Sequence, residues 1–170
     1  MRFALVRVDD RLLHGQVALG WGERLRPRFY LLADDRVAGD AWEAAACRAM
    51  APAGSEVLLW SLERLAMEWK SLEDPPATVV LIRGLRELAR LWHAGFRSDG
   101  GYNLGGLHAC GQSRELLSYI HVNPEEEALL GTLLDEGADI FAQQLPATAR
   151  TEAHDLRVLL ASGARPEDCR

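Results

Sequence analysis

Apolar positions along the chain fall into short aliphatic runs that alternate with stretches of helical spacing. Phe3 to Val8 is rich in aliphatic residues and ends in charge, which predicts a buried first strand. Gly15 to Leu25 reads as a helix, with Val17, Trp21 and Leu25 four apart on one apolar stripe and two glycines, Gly20 and Gly22, weakening it. Arg28 to Leu32 is a second strand closed by Asp34-Asp35, and Asp40 to Met50 is an Ala-rich helix stopped by Pro52 and Gly54. Glu56 to Trp60 is a third strand and Leu62 to Trp69 a third helix. A loop at Pro75-Pro76 precedes a strand over Thr78 to Ile82, and Leu85 to His93 is a helix ended by Gly95. Gly100 to Gly111, with five glycines in twelve residues, predicts mostly loop and short strand. Asn123-Pro124-Glu125-Glu126-Glu127 is a helix start, combining a capping Asn, a first-turn Pro and acids at the positive helix end. That helix runs to about Glu136, Asp139 to Leu145 is a last strand, and Thr151 to Ala161 a terminal helix.

Strands alternating with helices of this length predict an α/β fold, a three-layer α/β/α arrangement around a mostly parallel central sheet. Residues 1–170 show no internal repeat, linker or low-complexity tract and are expected to form a single domain. In such sheets ligands bind beyond the carboxyl ends of the strands, so the loop after the first strand is the first place to look for a site.

Composition removes several function classes. An apolar fraction of 48% and a charged fraction of 26% are those of a globular protein, and the net charge of -6 without clustered Lys or Arg argues against a nucleic-acid partner. Cys47, Cys110 and Cys169 are far apart, and His108-Ala109-Cys110 is too short and isolated for a zinc half-site, so buried or inert thiols are expected. Charge returns too soon after Met1 for a signal-peptide core, and no apolar stretch is long enough to span a membrane, so a cytoplasmic location is expected. No G-x-G-x-x-G or G-x-x-x-x-G-K-[ST] follows the first strand, which counts against a nucleotide-binding domain.

The first loop holds Asp9, Asp10, Arg11 and His14, with Gly15 and Gln16 opening the next helix. Backbone N–H groups at a helix start suit an anion. A neutral imidazole nitrogen can attack phosphorus, and the phosphoramidate it forms stays reactive. Arg11 could offer a planar fork to phosphate oxygens, Asp10 could fix the ring tautomer or hold Arg11, and Gly15 would let backbone approach closely. On residue chemistry alone such a turn is more often a solvated, salt-bridged loop than a catalytic one.

The run Val6-Arg7-Val8-Asp9-Asp10-Arg11-Leu12-Leu13-His14-Gly15-Gln16-Val17 closely resembles the V-R-I-D-D-R-L-I-H-G-Q-V motif of mannose/fructose/sorbose-family phosphotransferase system IIB domains. Further along, Asp34-Asp35-Arg36-Val37-Ala38 resembles the family's N-D-E-V-A turn, Ala51-Pro52-Ala53-Gly54 its P-x-G turn, and Asn103-Leu104-Gly105-Gly106 its N-V-G-G loop. The resemblance implies that His14 accepts a phosphoryl group from a IIA phosphohistidine and donates it to a sugar bound by the membrane IIC/IID subunits. It implies Arg11 as the residue steadying phosphate and Asp10 as an orienting group, and it implies no metal and no cofactor. Gly15, Gln16, Asp35, Asn103, Gly105 and Gly106 would line the pocket, with recruitment to the inner membrane face by the permease. The site is expected to be fairly exposed, since two proteins must reach it. A regulatory phosphorylatable domain without sugar transport is the alternative, and homo-oligomerisation stays open.

Other residues have structural explanations as good as functional ones. Asp35 is as readily a solvated turn acid, and Asn103, Gly105 and Gly106 could be tight-turn residues in which glycine supplies positive φ. His93 suits a helix C-terminus, His108 is placed for an acid role or for the surface, and His121 and His154 have no site argument. Trp21, Trp42, Trp60, Trp69 and Trp92 are assigned to core and interface rather than to sugar stacking. Arg83-Gly84 departs from the small hydroxyl or amide residues expected there, and Arg83 could add a second cation near the phosphate.

Overall fold

The computed structural model describes residues 3–72 and 77–163; the expected loop at Pro75-Pro76 and Cys169 lie outside them. Six parallel strands form the central sheet in the order β3-β2-β4-β1-β5-β8: β1 Leu5–Asp9, β2 Phe29–Ala33, β3 Glu56–Trp60, β4 Thr78–Ile82, β5 Tyr102–Gly106 and β8 Ile140–Ala142. Two further strands, β6 Arg114–Leu117 and β7 Ile120–Val122, pair as an antiparallel hairpin in a stretch, 112–122, to which the sequence pattern assigned no element.

Strand alternation divides the core in two. Leu5, Tyr30, Leu32, Val79 and Leu81 face one side with Val17, Ala18, Trp21 and Val37. Val6, Val8, Leu31, Ala33, Val80, Ile82 and Leu104 face the other, against α4 Leu62–Glu68, α5 Leu85–His93, α6 Pro124–Asp135 and α7 Ala153–Ala161. The right-handed crossover rule explains this split. Connections moving along the sheet from β1 towards β3 cover one face, and those moving back through β4 and β5 to β8 cover the other. The chain leaving β1 therefore departs over one face while its neighbours β4 and β5 leave over the opposite face. That opens a crevice beside the end of β1.

Most elements fall where the hydrophobic pattern predicts, with β3, β4 and α5 matching to the residue. Two differ. The first helix begins as a π-helix over Gln16–Trp21 before continuing as α1 Gly22–Leu25. Its two glycines accommodate close neighbours: a Cβ on Gly22 would lie 2.6 Å from the Tyr30 hydroxyl, and one on Gly20 2.8 Å from Leu145. The expected turn after β2 is a short helix, α2 Asp35–Gly39, because the Asp34 carboxylate accepts from the Arg36 and Val37 amides and caps it. Asp40 caps α3 Ala41–Ala49 in the same way, and Asn123 with Glu126 forms a full capping box on α6. Trp60 and Trp21 are buried as expected, whereas Trp42 is 81% exposed because it sits in the first, solvent-facing turn of α3.

Candidate functional site

At the carboxyl end of β1 the site has a buried floor and a more open rim. The floor begins with Arg7, a fully buried cation inside an otherwise aliphatic strand. Its guanidinium donates to Asp9 Oδ2 through Nε (3.3 Å) and Nη2 (2.8 Å), and through Nη1 to Asn103 Oδ1 (2.7 Å) and the Gln143 carbonyl (3.1 Å). Asn103 donates from Nδ2 to that same carbonyl, at 3.0 Å. Desolvation holds the Arg7 guanidinium below its ordinary pKa, with Asp9 opposing the shift, but an arginine stays charged at neutral pH.

Glycine makes this floor possible through space, not through φ. The β1–β5 register slips between Val8 and Asp9, leaving Gly105 as the extra residue. A Cβ on Gly105 would lie 1.8 Å from Arg7 Cζ, and one on Gly106 3.0 Å from Asp9 Oδ2. Neither glycine is among those with positive φ, so the expected turn role is replaced by close approach. Asn103 likewise supports the site from beneath, fully buried, and is not a wall of a pocket.

The rim is carried by the loop after β1. Leu12 adopts a left-handed conformation at φ 53°, held by its own burial and by its N–H donating to the Asp9 carbonyl (2.9 Å). This reversal folds His14 back over the floor. His14 Nδ1 lies 3.0 Å from the Leu12 carbonyl, which can only accept, so Nδ1 carries the proton in this rotamer. Nε2 is 3.4 Å from Gln16 Oε1 and 3.8 Å from Asp9 Oδ2. Arg11 spans the same two partners, with Nε 3.5 Å from Asp9 Oδ1 and Nη2 donating to Gln16 Oε1 at 2.9 Å.

Several expectations change here. Asp9, not Asp10, touches both His14 and Arg11; Asp10 turns to His108, whose Nδ1 is 2.7 Å away. The His14 side chain is only 15% exposed, against 39% for Arg11, because the Leu12 contact folds the ring inward. Gly15 is exposed with nothing within 4 Å of a Cβ position, so it keeps the space beside His14 open and no backbone packs onto it. Asp35 accepts from the Leu62 amide (2.9 Å) and pairs with Arg90 (3.1 Å), which ties α2 to α4 and α5 and not to the histidine. The acid facing the crevice from β2 is Asp34, only 4% exposed, which accepts from Arg83 Nε. Burial alone would raise the Asp34 pKa, but the Arg83 bond and the Val37 and Arg36 amides outweigh it and lower it. Arg83 also donates from Nη1 to the Asp10 carbonyl at 3.2 Å and lies 3.9 Å from Glu43, so it is committed to protein partners. His93 pairs with Glu136, and His154 is exposed.

Arg7 and Asp9 were present in the sequence but not singled out as a pair. The signal was available: a charge inside a buried aliphatic strand needs a partner, and Asp9 lies two residues on, on the same face.

Residues 3–166 match the family described as PTS system sorbose subfamily IIB component. The chain belongs to that family. It is 24% identical over 150 residues to a fructose-specific EIIB component of Bacillus subtilis, covering 88% of this chain and 91% of that protein. It is 23% identical over 142 residues to N-acetylgalactosamine-specific IIB component 2 of Escherichia coli, covering 84% and 90%. Its fold matches the IIBSor domain of the sorbose permease from Klebsiella pneumoniae with a TM-score of 0.83 at 22% identity, covering 96% of this chain and 99% of that one. As a family of the phosphotransferase system, these IIB components make a role in phosphoryl transfer for sugar uptake the consistent reading. Among the described residues no helix is long and apolar enough to cross a membrane, and no cluster of His, Cys, Asp or Glu has a metal-binding arrangement.

Proposed function

We propose that this IIB component is a phosphocarrier in which His14 is the phosphorylated residue. A ring nitrogen of His14 attacks the phosphorus of a IIA phosphohistidine, forming one N–P bond as the donor's breaks. The His14 N–P bond then breaks as a hydroxyl oxygen of a sugar held by the membrane IIC/IID subunits bonds to phosphorus and releases its proton. The protein would do this at the cytoplasmic face, recruited by the permease.

The observation that carries this reading is the grouping of His14, Arg11 and Gln16 over an Asp9 whose charge is already matched by buried Arg7. Because Arg7 offsets Asp9, Arg11 is left to face an incoming phosphoryl group. Phosphoryl transfer passes through a loose, charge-spread transition state, so alignment and charge stabilisation do most of the work. Arg11 is the donor for the equatorial oxygens, and among the described residues its Nη1 has no hydrogen-bond partner. With its ring mostly covered, His14 must swing off the Leu12 carbonyl to meet a protein donor. Gly15, bare beside it, leaves room for that movement.

The test is phosphorylation by phosphoenolpyruvate, the general phosphotransferase proteins and a IIA of the same subfamily. One acid-labile phosphoryl group per chain is expected in the wild type and none in His14→Ala. Label retained by His14→Ala would sink the assignment.

A further inference from the structure

Asp10 has every polar group it owns bonded, and to two separate segments. Its N–H donates to the Gly106 carbonyl at 3.1 Å, at the end of β5. Its carboxylate accepts the His108 amide on Oδ2 (2.7 Å) and meets His108 Nδ1 on Oδ1 (2.7 Å), in the connection after β5. Its carbonyl accepts from Arg83 Nη1 at 3.2 Å, from the residue that follows β4. Arg83 is aimed in turn by Asp34, which takes its Nε, with Glu43 3.9 Å from its Nη2. Neither Arg83 nor His108 bonds to His14 or Arg11 among the described residues.

This convergence has a use. Immediately after Asp10 the chain carries Arg11, then the left-handed Leu12, a conformation that costs on the order of 1–2 kcal/mol for a residue with a Cβ. Such a conformation persists only where both flanks are fixed. Leu12 and Leu13 are fixed downstream by burial, and Asp10 is the fixed point upstream. We propose that Arg83 and His108 are positioning residues for phosphoryl transfer, clamping Asp10 from the ends of β4 and β5 so that Arg11 and His14 hold a common geometry. The inference rests on the reading of His14 as the phosphorylated residue.

His108 and Asp10 are 56% and 34% exposed, so their bond adds little to global stability and acts through geometry. Arg83 has the fork needed to span Asp34 and the Asp10 carbonyl together; a lysine ammonium does not.

Phosphoramidate, a small donor that loses ammonia on transfer, reads the competence of the site without any docking surface. His14 labelling is followed in wild type, His108→Ala, His108→Asn, Arg83→Ala and Arg83→Lys, with thermal melts in parallel. His108→Ala and Arg83→Ala are each expected to label about tenfold more slowly, since small misplacements of reacting groups cost this much or more. His108→Asn, whose side-chain amide can still donate to Asp10, is expected to recover most of the rate. Arg83→Lys keeps a cation beside Asp34, and so keeps that ion pair and the fold, yet should be as slow as the alanine variant. Wild-type rates in His108→Ala or Arg83→Lys would overturn the clamp, and so would a His108→Asn as slow as His108→Ala. A wild type labelled elsewhere than His14 would instead remove the phosphocarrier reading, and the clamp with it.

Discussion

The floor and the rim of the site use the same residue types under opposite conditions. In the floor, Arg7, Asp9 and Asn103 are fully buried and each polar atom is committed. On the rim, Arg11 and His108 make comparable bonds while 39% and 56% exposed. A buried ion pair is costly to break, about 3–5 kcal/mol when one partner is removed, because the survivor cannot return to water. An exposed pair is worth about 0–1 kcal/mol. Stability therefore resides in the floor, and the rim is free to spend its charges on an incoming group.

The sharpest way to break this comparison is Gly105→Ala. The added methyl would overlap the Arg7 guanidinium at 1.8 Å, and that group cannot swing aside while held by Asp9, Asn103 and Gln143. A loss of about 3–5 kcal/mol in urea unfolding is expected, the scale of a broken buried pair. A variant within about 1 kcal/mol of wild type would show that the floor is softer than its burial implies. Gly106→Ala, 3.0 Å from Asp9, is a milder version that the carboxylate can relieve with a small shift.

Arg11→Ala sharpens the other half. Removing the rim cation should slow His14 phosphorylation about a hundredfold, the usual cost of losing one donor to developing charge. Its effect on unfolding should stay below about 1 kcal/mol, since the side chain is exposed. A large stability loss with little change in rate would put Arg11 in the floor.

The same contrast separates what was legible in the sequence from what was not. Periodicity located the strands and helices because burial on two faces leaves a strong apolar pattern, and Thr78 to Ile82 and Leu85 to His93 were exact. His14, Arg11 and Gln16 were legible because they lie within six residues of one another after the first strand and match a family motif. The direct contacts of Asp9 and Asp34 were not legible, because neighbouring carboxylates look alike in sequence; the pleat and the caps decide that Asp9 meets His14 and Asp34 meets Arg83, while Asp10 and Asp35 turn to other partners. The partnership of Arg7 with Asn103 and Gln143 depends on the β1–β5 and β5–β8 pairings, which no local pattern encodes. The hairpin β6–β7 was hidden by the glycines before it.

Asp34 lies between the two regimes, and pH probes it. Its pKa is lowered in the folded state, so its contribution to stability is complete above the unfolded carboxylate value and is lost as pH falls through the lower folded value. Asp34→Asn keeps the oxygen that caps α2 but loses the charge paired with Arg83. It should be less stable than wild type at neutral pH, with the difference shrinking below about pH 4. Melts from pH 7 down to acid would check this; a gap that does not narrow would assign the loss to packing and not to the ion pair.

The smallest effect is expected at Gly15, where floor and rim reasoning meet. Its φ of -52° is open to any residue and a Cβ there meets nothing within 4 Å, so the fold makes no demand for glycine. Gly15→Ala should raise stability by about 0.5 kcal/mol, by restricting the unfolded chain. What the methyl would change is the clearance beside His14, which matters to a protein donor more than to a small one. Phosphorylation from IIA should therefore slow more than phosphorylation from phosphoramidate. Equal slowing of both would mean that Gly15 serves the movement of the His14 ring itself and not the approach of the donor protein.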